Sequence, residues 1–187
     1  KLMQSVSDKR ETLALLSGCC VFLSMIEYII PKPLPFLRLG IANIPILISL
    51  EIFSPALTFV LVLLKIAGRG IITGTVFSYI FLFSFFGSAA GGAAMLLAKN
   101  IFRKHISMIG ISVLGALASN IVQLYIARLV IFGDAALIIA PPVLIAGTIS
   151  SILIGMFAQS FVSKSKWLSM VSSKIADRKP GKGPENG

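Results

Sequence analysis

The chain has 187 residues, of which 56% are hydrophobic and only 13% charged, with a mean hydropathy of +0.94. Soluble domains carry about 25% charged residues, so this composition excludes an ordinary water-soluble enzyme and points to one membrane domain. The net charge of +10 does not point to nucleic acid, because Lys and Arg cluster at the chain ends and in short loops between long apolar runs.

Lys1 to Glu11 is polar, and the apolar run from Thr12 follows it with no small-residue cleavage site, so no removable signal peptide is expected. Thr12 to Ile30 predicts a first span, long enough for about 30 Å of hydrocarbon at about 1.5 Å per residue. Pro31, Pro33 and Pro35 end it. Within it, Ala14 and Gly18 form a small-xxx-small pair that lets another helix approach closely, either inside the protein or on a partner. Cys19 and Cys20, the only cysteines, are adjacent in this span and read as small buried residues, with no disulfide framework or zinc site.

Leu39 to Gly68 would make a helix of about 45 Å, too long for one upright span. Glu51 and Ser54-Pro55 divide it into two short ones. Uncharged runs at Gly70 to Ala98, Ile106 to Ala127 and Ala135 to Ser163 predict three more spans, with Pro141-Pro142 near the start of the last. Six spans put both termini and the Lys99 to His105 loop on one side, which then holds twelve of the seventeen Lys and Arg residues. Five spans would separate those charges or translocate Lys9-Arg10, against the excess of Lys and Arg in cytoplasmic loops. The expected fold is therefore an all-α, six-helix, multi-pass protein of the cytoplasmic (inner) membrane: a bundle over 12–163, with 1–11 and 164–187 as cytoplasmic tails. The tail turns from basic to Pro- and Gly-rich, and Pro180 to Gly187 has the composition of an appended segment.

This topology gathers the polar residues of the spans at one level. Lys65 and Arg69 lie one helical turn apart, with thirteen uncharged residues before them and twenty-nine after. Glu27, Asn120, Gln123 and Arg128 fall in the outer halves of outward-running spans, and Arg38 and Asn43 in the outer half of an inward-running one. Four cations then stand against one acid. An ionised side chain at that depth costs about 2.5 to 3.5 kcal/mol, so it faces a cavity or a partner. The eight residues predict an outward-facing pocket for an anionic or strongly polar small molecule. In the alternative, the arginines reach lipid headgroups and Lys65 pairs with Glu27. In the fourth span, Phe77, Tyr79, Phe81, Phe83, Phe85 and Phe86 fall on several faces, so most are expected to meet lipid or core and one or two to line the pocket, while Gly87 to Ala94 repeats small residues for tight packing.

Arg38-Leu-Gly-Ile-Ala-Asn-Ile44, the Lys65-xxx-Arg69-Gly70 step, Phe83 to Ser88 and Met108 to Leu124 together resemble the family labelled heptaprenyl diphosphate synthase component I. That family is grouped with the Gx transporters and is similar to the substrate-binding S components of energy-coupling factor vitamin transporters. The resemblance covers Thr12 to Ser163 and departs at Ser119, where many relatives carry His. It implies a six-helix bundle that binds a vitamin or cofactor precursor from outside. It also makes Ala14 and Gly18 similar to the small-residue motif that meets a transmembrane coupling subunit. No phosphate-binding loop is present, so ATP-driven transport would draw on partner ATPases.

Catalysis is not expected. Prenyl diphosphate synthases hold magnesium on Asp-rich motifs, whereas Asp8, Asp134 and Asp177 are far apart, and no cofactor or metal site is predicted. Two rivals stay open: a non-catalytic membrane partner of a redox or prenyl-lipid pathway, and a membrane enzyme, which would need acids this chain lacks.

Overall fold

The computed structural model describes residues 2–31, 39–102, 105–166, 168, 170 and 171, and the regular structure there is entirely helical. Six α-helices follow in order: α1 Leu2–Ile29, α2 Ile44–Ile52, α3 Pro55–Ile72, α4 Tyr79–Phe102, α5 Met108–Ala127 and α6 Ala136–Lys164. A 3-10 turn, Ile41–Asn43, leads into α2, and a π turn, Arg128–Phe132, follows α5. Pro45 and Pro55 stand in the first turns of α2 and α3, where a missing N–H costs nothing. Ser107 caps α5 by accepting from the Gly110 N–H.

Several boundaries differ from expectation. The first helix starts at Leu2 rather than Thr12, although its apolar crossing stretch is Lys9–Ile29. The fourth begins at Tyr79, because α3 runs through Gly70 to Ile72 before a turn over 73–78 in which Thr73 Oγ1 donates to the Arg69 carbonyl and Gly74 adopts φ +64. Phe77 is therefore in that turn and not on α4. At its other end α4 absorbs Lys99 and stops at Phe102.

Four stretches are long and apolar enough to cross a membrane: Lys9–Ile29, Pro55–Ile72, Phe81–Phe102 and Met108–Lys164, the last containing both α5 and α6. Leu39 to Gly68 does break at Ser54-Pro55, but its first part, Ile41–Ile52, is a half-length helix rather than a full span. Twelve residues rise only about 18 Å. Such a segment ends inside the apolar layer and needs its free backbone groups met by protein.

Glu27 meets them. Its buried carboxylate accepts the N–H groups of Leu39 at 3.0 Å, Gly40 at 3.3 Å and Ala42 at 3.5 Å, at the end of the segment where helical N–H groups point outward without partners. Gly40 supplies the φ of +81 that turns the chain there, and Ser150 Oγ on α6 donates to the Leu39 carbonyl at 2.6 Å. The short helix thus hangs from α1 and α6 by its starting end.

The packing fixes relative directions. Glu27 and Ile154 line one cavity, while Leu15 and Phe161 line one groove, so α1 and α6 run antiparallel and the start of α1 lies beside the end of α6. The Lys99–Glu51 ion pair joins the last turns of α4 and α2. One end of the bundle consequently carries Lys9, Arg10, Lys99, Lys164 and Lys166, and the opposite end carries Arg128 and Asp134.

The most extensive contacts join α5 to α6 and α4 to α5. They rest on glycine: a Cβ on Gly91 would stand 2.9 Å from the Gly115 carbonyl oxygen, and one on Gly155 2.6 Å from the Ile109 Cα. Leu47, Leu61, Val62, Met95 and Ile111 fill the interior, whereas Ile71, Leu129, Ile138 and Leu153 are exposed, as expected of a surface facing acyl chains.

Gly155→Ala should lower the thermal midpoint of the detergent-purified protein by an amount equivalent to about 1 to 3 kcal/mol, since backbone and not a flexible side chain blocks the added methyl. Gly18→Ala, which meets nothing within 4 Å, should leave it unchanged. Equal shifts for the two would contradict this packing. Glu27→Gln should cost about 1.5 to 3 kcal/mol and speed amide hydrogen exchange at Leu39 to Ala42 selectively; uniform exchange behaviour would show that the carboxylate is not the tether.

Candidate functional site

Polar groups from all the long helices converge on one cavity. Glu27 comes from α1, Asn43 and the backbone of 39–42 from the start of the half-length helix, Lys65 and Arg69 from α3, Ser88 from α4, Ser112, Ser119 and Asn120 from α5, and Ser151 from α6. The free volume is about 20 Å³, room for roughly one water. The site is built but closed.

Its charges are deeply placed, with Lys65 4% and Arg69 8% exposed. Lys65 Nζ donates to Asn43 Oδ1 at 2.5 Å, which orients the ammonium toward the start of the short helix. Glu27 and Arg69 line the same cavity, so the acid and the second cation share it. The Glu27 oxygens are themselves engaged by three backbone N–H groups, so the acid serves the loop as well as the cations. Among the described residues the cavity lining carries two cations and one acid, together with the hydroxyls of Ser88, Ser112, Ser119 and Ser151, the last of which donates to the Thr148 carbonyl.

Asn120 is 2% exposed, and its Nδ2 is, among the described residues, the one buried side-chain nitrogen or oxygen without a hydrogen-bond partner. Its amide lies so close over Gly147 of α6 that any side chain there would collide with it. Gln123, one turn further along α5, is equally buried but belongs to the packing: its Nε2 donates to Ser119 Oγ at 2.8 Å, and its side chain fills the space left by Gly87.

Of the eight residues expected at the pocket, the structure brings together Glu27, Asn43, Lys65, Arg69 and Asn120. Gln123 lies beside the cavity, turned into the α4 contact. Arg128 is not in it; it follows α5 at the far end of the bundle, half exposed, and pairs with Asp134 at 2.7 Å. Arg38 is outside the described residues. The expected aromatic contribution is also corrected, for no ring of α4 lines the cavity: Phe83 packs against Ala127, and Phe85 and Phe86 are exposed. Ala14 and Gly18 are exposed on α1, which separates them from the internal packing of the bundle.

Sequence reasoning missed the serines. Ser112 and Ser119 are two helical turns apart and therefore on one face of α5, a spacing that becomes informative only when the rest of that face is known to be buried. Gly87 and Gly91 were read as packing residues, and they are, yet by admitting α5 so closely they also form the cavity wall.

No curated protein and no solved structure matches the chain. A family model described as heptaprenyl diphosphate synthase component I matches residues 16–161, a stretch that includes every residue lining the cavity. The chain belongs to the heptaprenyl diphosphate synthase component I family.

Proposed function

We propose that this protein is a non-catalytic, membrane-embedded component that binds a small anionic or strongly polar solute from the side opposite its basic end. The observation that carries this reading is the buried Lys65–Arg69 pair, one turn apart and opposed by the single acid Glu27 in a donor-lined cavity. Two such cations suit two oxygens of one phosphate or carboxylate. The described lining offers charge, so the candidates are an acidic quinone precursor, a phosphorylated isoprenoid or a flavin. With about 20 Å³ free, the site must widen on binding, and Leu39 to Asn43, held by side-chain hydrogen bonds rather than by a full helix, is the part that can yield.

In this reading the chain passes the inner membrane as six antiparallel elements, the second only half-length, with both termini cytoplasmic. The basic end supports that orientation. Similarity to transporter S components supplies the remaining partners, a transmembrane coupling subunit with ATPases, and the exposed Ala14–Gly18 edge is the surface that would receive the former. A second reading, a non-catalytic membrane partner in a prenyl-lipid pathway, is favoured by the description of the matching family. Catalysis on a diphosphate would need clustered carboxylates for magnesium, and the cavity has one.

Isothermal titration of detergent-purified protein with 1,4-dihydroxy-2-naphthoate, farnesyl diphosphate and riboflavin tests the site. Arg69→Gln should weaken binding about thirtyfold or more, whereas Arg128→Gln should change nothing. Loss at Arg128 without loss at Arg69 would place the ligand elsewhere, and wild-type protein that binds none of the three would favour the partner-subunit reading. For topology, with Cys19 and Cys20 replaced by Ala, an impermeant maleimide outside intact cells should label Phe77→Cys but not Ser165→Cys. The reverse pattern would invert the orientation.

A further inference from the structure

Outside the polar cavity, the surface between α1, α2 and α6 carries a groove of about 300 Å³ lined by Leu15, Cys19, Leu23, Ile48, Phe157 and Phe161, with no polar side chain other than the thiol. Phe157 and Phe161 stack with centroids 6.5 Å apart and also form the wall of a second cleft, of about 350 Å³, that continues to Ser160, Lys164 and Ser165. The two clefts adjoin at these two rings, the first apolar and the second carrying Lys164. Because α1 and α6 run antiparallel, Lys9 and Arg10 lie at the same end as Lys164, and Lys166 follows Lys164 by two residues.

We infer that these adjoining clefts are a specific seat for an anionic phospholipid, one acyl chain lying along Leu15, Ile48 and Phe157 in the first and the phosphate meeting Lys164 with the hydroxyls of Ser160 and Ser165 in the second. Charge complementarity decides between occupants. A partner helix would complete the apolar cleft but leave the ammonium and hydroxyls of the second unused, whereas a phosphate-headed lipid matches both. A soluble phosphate would match only the second. The seat is at the basic end, distinct from the solute cavity, and does not depend on what that cavity binds.

Native mass spectrometry of the delipidated full chain, titrated with palmitoyl-oleoyl phosphatidylglycerol or with phosphatidylcholine of identical chains, is the test. Phosphatidylglycerol should be retained about fivefold better or more, and Lys164→Gln should reduce that preference about fivefold. Leu15→Trp, at an exposed position that can accept the ring, should weaken both lipids by filling the groove. Glycerol 3-phosphate should not displace the lipid. A second readout uses the native thiols, since Cys19 is exposed in the groove and Cys20 is fully buried: bound phosphatidylglycerol should slow maleimide labelling, with Cys19→Ala as the blank. Equal retention of the two lipids, an unchanged preference in Lys164→Gln, displacement by glycerol 3-phosphate, or protection of Cys19 by a co-purified protein but not by lipid would each overturn the assignment.

Discussion

The carboxylate of Glu27 is the group on which the rest of this arrangement depends. A helix that begins in the middle of an apolar layer presents N–H groups that lipid cannot satisfy, and each would cost several kcal/mol if left bare. Glu27 takes three of them, and the charge it brings is in turn acceptable at that depth because Arg69 and Lys65 are there. The cations therefore have a structural role: they share the cavity with the acid that meets the N–H groups where the half-length helix starts. Asn43 then lies at that start, within reach of Lys65.

Around this polar knot the bundle is held by close backbone approach rather than by bulky interdigitation. Lipid offers apolar side chains nearly the same environment as a protein interior, so the hydrophobic drive that assembles soluble bundles is weak here. Glycines on α4, α5 and α6 bring the three helices together and, in doing so, leave room for the Asn120 and Gln123 amides between them. The same contacts make α4 to α6 the most extensively packed part of the fold, and residues of α1 to α3 complete the cavity wall.

Much of this was legible in the sequence because membrane depth makes charge conspicuous. Lys65, Arg69, Glu27, Asn43 and Asn120 stand out against apolar runs, and alternating directions bring them to one level. Arg128 stood out in the same way yet is placed elsewhere, since depth along a helix says nothing about which side of it faces inward, and Asp134 lay too few residues away to be weighed as its partner. The division into two short helices was legible at Ser54-Pro55, but not where the first begins; its start is set by Glu27, twelve residues before Leu39 and invisible as a partner in a linear pattern. Most of the aromatic run of α4 was expected to meet lipid or core, and Phe83 in the packing and Phe85 and Phe86 at the surface agree with that.

Asn120 carries one last consequence. A buried amide with an unmatched N–H costs about 1 to 3 kcal/mol relative to a satisfied one. The Asn120 Nδ2 is turned toward Gly147, so the missing side chain of that glycine is what lets α6 close over it. The bundle is therefore less stable than its packing would permit, and an apolar residue of the same shape at position 120 would relieve the deficit at the expense of the polar lining.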